Sequence, residues 1–402
     1  MRRSGAAGSR LRAAGAEVGL QTGATLSVVL LPISVPLPYD ADPGYVVGVA
    51  PRRTSSILIA LDGRRFRSVR LRPGKRRFSI GPLGFPPGDH AVTVSARDGT
   101  RTLASRTVPA VTGLPRVAFE VRRPRATDAA AQRSLAALRH GGGATTAVWA
   151  RDLRSGRAAS WNAGATFPAA STLKLAILLT SLSRASGDPT RSGLWPTYRS
   201  MILDSSNRAA NAILTAVGGS TSGGSRAVES FVSRVGARST IQYGGYETIA
   251  SSPRPTDAAS FADFVRARTD VPPVETRLQP SYAQGKHTTA HDLGVLASSL
   301  VSAASGRGLA AANGISAREA RVALWLLAHA RYPGLVRPAT LATVAHKAGW
   351  LDGVQHDDAI VFTRHGTIVL TVMTYRATGV SLPTSQAYAA RVLRVVRSRL
   401  QR

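Results

Sequence analysis

Cysteine is absent from the 402 residues, which excludes disulfides, thiolate metal sites and a cysteine nucleophile. Acidic residues are few, 22 against 52 basic ones. The resulting charge of +30 raises the question of a nucleic-acid or anionic-surface partner. The arginines, however, are spread over the whole length without a dense basic run or interleaved aromatics. Nucleic acid is therefore not the expected partner; a monomer lying against an anionic cell envelope is. No apolar run approaches the roughly 20 residues a membrane-spanning helix needs. The eight histidines show no metal-ligand spacing such as H-E-x-x-H, and no cofactor is implied. Lysine is scarce too: of the 52 basic residues only Lys75, Lys174, Lys286 and Lys347 are lysine. Where positive charge alone is wanted this chain writes arginine, so a lysine marks a place where an amine that can lose its proton is needed.

What is present is ordinary for a globular protein, with 44% hydrophobic and 18% charged residues, and long enough for two or three domains. Residues 1–40 are a lead-in. Within it Ala24 to Pro38 is apolar and follows Arg2, Arg3, Arg10 and Arg12, which leaves two readings open, a secretion signal or a proline-broken edge strand. From Tyr45 to Val121 the pattern has period two, and the Asp62-Gly63 and Asp98-Gly99 pairs are hairpin signals. A small β-sandwich is expected over 41–121, resembling immunoglobulin-like accessory modules of bacterial envelope proteins. "RRPRAT", Arg122 to Thr127, is the expected linker.

Over 128–402 helical patterns alternate with a few strands. Helices are expected at Ala129–Arg139 behind an Asp128 cap, at Asn207–Val217, Ala227–Val235, Thr256–Arg268, Thr289–Ala304, from a Ser316–Glu319 capping box to Ala330, and at Thr384–Leu400. "TTAVWARDL" and "AASWNAG" read as strands near the start of this region, "DAIVFT" and "GTIVLTVMTY" near its end, and "GGSTSGGS" as a surface loop. Strands at both ends with helices between imply an α/β (α+β) sandwich built on an antiparallel sheet.

In "FPAASTLKLAI" Ser171 and Lys174 stand three apart at a helix start, on one face. A serine hydroxyl needs a base to become a nucleophile, a desolvated lysine can be that base, and the helix N-terminus offers N–H groups to an oxyanion. Two further elements follow in order: Ser205-Ser206-Asn207, again at a helix start, and Lys347-Ala348-Gly349 before the closing strands. Together they resemble the S-x-x-K, S-D-N and K-T-G set of class A β-lactamases and penicillin-binding proteins. "VWARDLRSGRAASWNAGATFPAASTLKL", Asn211 and "TTAHDLGVL" resemble that family as well, and the resemblance spans about Ala130 to Arg402. It implies an extracytoplasmic serine hydrolase that opens β-lactams through an acyl-serine. Ser171 would be the nucleophile, Lys174 its base or proton relay, and Ser205 the proton donor to the β-lactam nitrogen. Asn207 would hold the substrate's side-chain amide, Lys347 would attract its carboxylate beside Gly349, and the N–H groups of Ser171 and Trp350 would form the oxyanion hole. The alternatives are a D-alanyl peptidase or esterase acting on cell-wall peptides, and a penicillin- or envelope-binding protein that stops at the acyl stage.

Two departures bear on this choice. Ser206 and Ala348 replace the middle residues of S-D-N and K-T-G. The lost hydroxyl at Ala348 should weaken carboxylate binding by roughly 1.5 to 3 kcal/mol unless Gln355 or His356 compensates. Class A enzymes direct the hydrolytic water with a glutamate in an E-x-x-L-N loop. Here Glu275 in "ETRLQ" is the first candidate and Glu247 in "YGGYETI" the second.

Overall fold

The computed structural model describes residues 27–31, 45–81, 83–85, 90–111, 114, 121–122, 125, 127–246, 275–281 and 285–401, in two compact units. The first seven strands are β1 (Ser27–Leu31), β2 (Tyr45–Val49), β3 (Ser56–Leu61), β4 (Arg64–Arg70), β5 (Arg77–Ile80), β6 (His90–Asp98) and β7 (Arg101–Val111). They form two small sheets, β1-β2-β5 and β4-β3-β6-β7. The strand reading of the apolar lead-in thus applies to Ser27–Leu31. Alternate residues of β3 and β6 turn inward, Ile57, Ile59 and Leu61 with Val92, Val94 and Ala96, as the period-two pattern requires. Asp62 (φ +49°) and Gly63 (φ +77°) supply the two left-handed residues of a tight hairpin.

The smaller unit ends at Val108, and residues from Pro109 onward belong to the larger one. Leu114 belongs to the buried core of the larger unit, and Val121 packs against that core. The Arg122 and Arg125 N–H groups donate to Leu153 and Gly156 carbonyls, and Thr127 bridges Ala158 in parallel.

The larger unit carries helices α1 (Ala129–Ala137), α2 (Lys174–Leu182), α3 (Trp195–Leu203), α4 (Asn207–Gly218), α5 (Thr221–Arg234), α6 (Ala290–Ala303), α7 (Gly308–Ala312), α8 (Ala317–Ala328) and α9 (Leu382–Leu400). Its strands are β8 (Thr145–Asp152), β9 (Ala158–Trp161), β10 (Thr166–Pro168), β11 (His287–Thr289), β12 (Thr343–Leu351), β13 (Val354–Thr363) and β14 (Gly366–Tyr375). Five of them make one sheet in the order β12-β13-β14-β8-β9, antiparallel throughout. Strands near the two ends of this region therefore meet at β14 and β8. Leu135 of α1 and Tyr388, Val392 and Val396 of α9 pack with Val148, Ala150 and Leu370. Residues of α2, α6 and α8 pack with Ala345, Ile360 and Val369. The expected sandwich with an antiparallel sheet is present.

One loop expectation is overturned. Thr221–Ser225 of the glycine-rich patch form the first turns of α5, capped by Ser220, whose Oγ accepts from Gly223 N–H at 3.0 Å. The glycines allow two helix backbones to touch: a Cβ on Gly224 would lie 2.2 Å from the Leu214 carbonyl oxygen of α4, and one on Gly218 would lie 2.1 Å from Gly224 N. The expected helix at Thr256–Arg268 falls outside the described residues. Among the described residues no helix is long and apolar enough to cross a membrane.

Candidate active site

The nucleophile turn is built from β10, which pairs with β11, Pro168 opposite His287. A 3₁₀ turn, Ala170–Leu173, then leads into α2. Ala170, the first residue of the turn, has φ +48°, a left-handed conformation that costs a non-glycine residue about 1 kcal/mol. The turn is held from three sides. Ala169 N–H donates to Lys286 O at 2.9 Å, Tyr246 Oη donates to Ala170 O at 3.4 Å, and His356 Nε2 lies 3.0 Å from Pro168 O. Thr374 N–H donates to His356 Nδ1 at 3.2 Å, so the ring proton sits on Nε2. Burial lowers the His356 pKa to about 4.

Lys174 is fully buried, and its Nζ has neighbours of two kinds. The Ser205 carbonyl oxygen and Asn207 Oδ1 (2.6 Å) can only accept. The Ser171 hydroxyl at 2.8 Å can accept or donate, as can the Ser205 hydroxyl at 3.3 Å. A neutral amine has two N–H groups and one lone pair. In a neutral amine the two N–H groups would serve the two obligate acceptors and the lone pair could accept from the Ser171 O–H. This is the arrangement a general base requires.

Ser205 and Asn207 are delivered by the start of α4. Ser206 is the helix cap, its Oγ accepting from Ala209 N–H at 3.2 Å. The serine in the middle of S-S-N thus takes the capping duty, and Ser205, at φ +58°, turns its hydroxyl to Lys347 Nζ at 3.0 Å. Asn211, one turn on, fixes Tyr246 by a reciprocal pair, Nδ2 to Tyr246 O at 2.7 Å and Tyr246 N–H to Oδ1 at 2.6 Å.

Lys347 stands on β12, the edge strand of the sheet. Burial, aided by repulsion from Lys174, lowers its pKa to about 7. Gly349 is dictated by contact: a Cβ there would lie 2.9 Å from Thr172 N and 3.0 Å from Ser171 N. Only a bare backbone lets the edge strand approach the N–H groups of the nucleophile turn so closely.

The fold therefore brings Ser171, Lys174, Ser205, Asn207, Lys347 and Gly349 together, with Trp350 next along the strand. It does not bring Glu275 to them by any hydrogen bond. Glu275 Oε2 accepts from Gln132 Nε2 of α1 at 3.1 Å and Oε1 from Arg277 Nε at 2.9 Å, so both its oxygens are engaged elsewhere. Glu247 lies outside the described residues. His356 cannot stand in for the missing threonine hydroxyl, because both its ring nitrogens are committed to backbone. Gln355 is turned to Tyr332, whose Oη donates to Gln355 Oε1 at 3.3 Å. Two neighbours were missed in the sequence. Tyr246 has Lys174 Nζ 4.7 Å and Lys286 Nζ 4.9 Å from its ring centroid. Lys286 Nζ also donates to Gly245 O at 2.6 Å, and burial lowers its pKa to about 8. The scarcity of lysine was a usable signal for Lys286; a tyrosine in a glycine-rich loop gave none. Among the described residues no group of histidines and carboxylates could hold a metal ion.

The family model described as "Beta-lactamase enzyme family" matches residues 129–192 and 184–397. The chain belongs to the beta-lactamase enzyme family. No curated protein matches it. Among solved structures it is similar to PBP-A (17% identity, 69% of this chain and 98% of that one, TM-score 0.49). It is also similar to a beta-lactamase from Sphaerobacter thermophilus (18%, 67% and 96%, TM-score 0.47) and to a class A beta-lactamase from Mycobacterium abscessus (20%, 66% and 98%, TM-score 0.47).

Proposed function

We propose that the protein is a serine hydrolase whose Ser171 is acylated by β-lactams, which it opens through an acyl-serine. The observation that carries this reading is the Lys174 amine, fully buried, with obligate acceptors on two sides and the Ser171 hydroxyl 2.8 Å away. Lys174 takes the hydroxyl proton as Ser171 Oγ bonds to the lactam carbonyl carbon. The oxyanion develops against the N–H groups of Ser171 and Trp350, which the close passage at Gly349 supports. The C–N bond then breaks as the lactam nitrogen receives a proton through Ser205, whose hydroxyl touches both Lys174 and Lys347. Asn207 orients the substrate amide, and Lys347, when protonated, attracts a carboxylate. Such work fits a cell-envelope location.

The fate of the acyl group decides between two readings. Engagement of Glu275 by Gln132 and Arg277 favours a penicillin-binding protein that releases its acyl group slowly, unless Glu247, the residue after Tyr246, directs water. Intact-protein mass against time after mixing with a penicillin tests both. A transient adduct with hydrolysed drug accumulating is the β-lactamase outcome, and a lasting adduct of one per chain is the binding-protein outcome. Ser171→Ala should show neither; an adduct on that variant, or none on the parent chain, overturns the proposal.

A further inference from the structure

Positive charge is concentrated in the smaller unit. Its segments Val46–Ile80 and Ala91–Val108 hold thirteen arginines and lysines against two acidic residues, Asp62 and Asp98. Within residues 64–77, eight of fourteen are arginine or lysine, none is acidic, and all eight are exposed. This stretch departs from the even spread of arginine expected along the whole chain. It runs through β4, the turn after it and the start of β5.

The fold turns the stretch outward on every side. β4 is the edge strand of its sheet, and its register with β3 puts arginine on both faces. Arg64 and Arg67 stand opposite the inward-turned Leu61 and Ile59, while Arg65 and Arg70 stand opposite Ala60 and Ser56. A register shift between Ile59 and Ala60 inserts Phe66 as the extra residue of a bulge, and Phe66 is 37% exposed between two arginines. Val49, 36% exposed, is the register partner of Arg77 on β5. These two are the exposed large apolar side chains of the smaller unit among the described residues, and both lie amid the cations. A charge or two is enough to keep an edge strand from pairing with another chain; a run of eight that continues past the strand exceeds that need. Guanidinium groups take phosphate oxygens through paired N–H bonds, and apolar side chains set among them suit the headgroup boundary of a bilayer. A face for single-stranded nucleic acid would present several aromatics for successive bases to stack on, and this stretch exposes one.

We propose that the β4–β5 edge docks the smaller unit on an anionic phospholipid bilayer, with arginines on the lipid phosphates and Phe66 at headgroup level. The inference is independent of the acyl-serine reading. Full-length chain is sedimented with phosphatidylcholine vesicles with and without about one third phosphatidylglycerol. The anionic vesicles should bind it tenfold or more tightly than the neutral ones, and about 1 M salt, where the Debye length is about 3 Å, should release it. Arg64→Gln, Arg65→Gln, Arg67→Gln and Arg70→Gln together should cut the affinity tenfold or more. The same charge loss at exposed positions of the larger unit, Arg199→Gln, Arg226→Gln, Arg394→Gln and Arg397→Gln, should change it less than threefold. Urea unfolding of each variant reports an intact fold, and Phe66→Ser should weaken binding about threefold at unchanged charge. Equal binding of neutral and anionic vesicles overturns the docking face, as do equal losses in the two fourfold variants, since net charge alone would then be at work. Tighter capture of a single-stranded oligonucleotide than of anionic vesicles at equal phosphate also overturns it and makes the edge a nucleic-acid surface.

Discussion

Lys174 and Glu275 are kept in very different company. Lys174 has lost all contact with water and is ringed by Ser171, Ser205, Asn207 and the Tyr246 face. Glu275 is anchored to Gln132 on α1 and to the 64% exposed Arg277. The sequence proposes both for one reaction, one to form the acyl-serine and one to release it. The fold surrounds the first with several mutually constraining groups and engages the second, at 18% side-chain exposure, with Gln132 and Arg277. The contrast supports the proposed acylation at Ser171 and gives no such support to Glu275 as the group that directs water.

The sharpest way to break the contrast is at Lys174. Lys174→Met keeps much of the volume but removes the base, and should slow acylation of Ser171 by roughly 10²- to 10⁴-fold. Lys174→Arg should lose as much, because guanidinium holds its proton. Rapid-mixing mass spectrometry of the penicillin adduct measures both. Acylation by the arginine variant at near the parent rate would mean that charge, and not proton transfer, is what the position supplies.

A second prediction concerns what keeps the nucleophile turn in place. His356 and His287 flank Pro168, one bonded to its carbonyl and the other its register partner, and burial lowers each pKa to about 4. Between the ordinary histidine value of about 6.5 and about 4 the unfolded chain takes up protons that the folded one refuses. The stability from keeping each ring neutral is therefore complete above pH 6.5 and lost as pH falls toward 4. For His356 it amounts to about 3 kcal/mol. Urea unfolding at pH 7.5 and 4.5 should show the loss, and His356→Gln, which can still donate to Pro168 O, should lose less between the two conditions. Equal losses would mean that His356 is not held neutral by the fold.

The sequence made the site legible where chemistry and local structure coincide. Ser171, Lys174, Ser205 and Asn207 all lie at helix starts, where caps and spacing can be read. Lys347-Ala348-Gly349 was expected just before the closing strands; it lies within β12 itself, a strand the sequence pattern did not reveal. What escaped depends on approach between distant segments. Tyr246 and Lys286 matter only because a loop and β11 meet beside Ala169 and Ala170. The start of α5 was hidden because Gly218 and Gly224, read as loop residues, are there to let two helix backbones touch. Helix α3, with Pro196 in its first turn, carried a breaker that serves as a helix start. The main-chain bonds of Arg122 and Arg125 to Leu153 and Gly156, and the bridge of Thr127 to Ala158, leave no trace in side-chain pattern.

The smallest expected effect lies at the other pole. Glu275→Gln keeps the side-chain size and can still bond Gln132, while its ion pair with largely exposed Arg277 is of the kind worth about 1 kcal/mol or less. Turnover of a penicillin, or the lifetime of its adduct if none is turned over, should change by less than twofold, and the urea midpoint should hardly move. Glu247→Gln is the paired experiment, since the loss of a water-directing carboxylate there would make the adduct long-lived. If Glu275→Gln alone traps the acyl-serine, the segment carrying it must swing from Gln132 to the ester once acylation has occurred. The two regions would then be successive stages of one site.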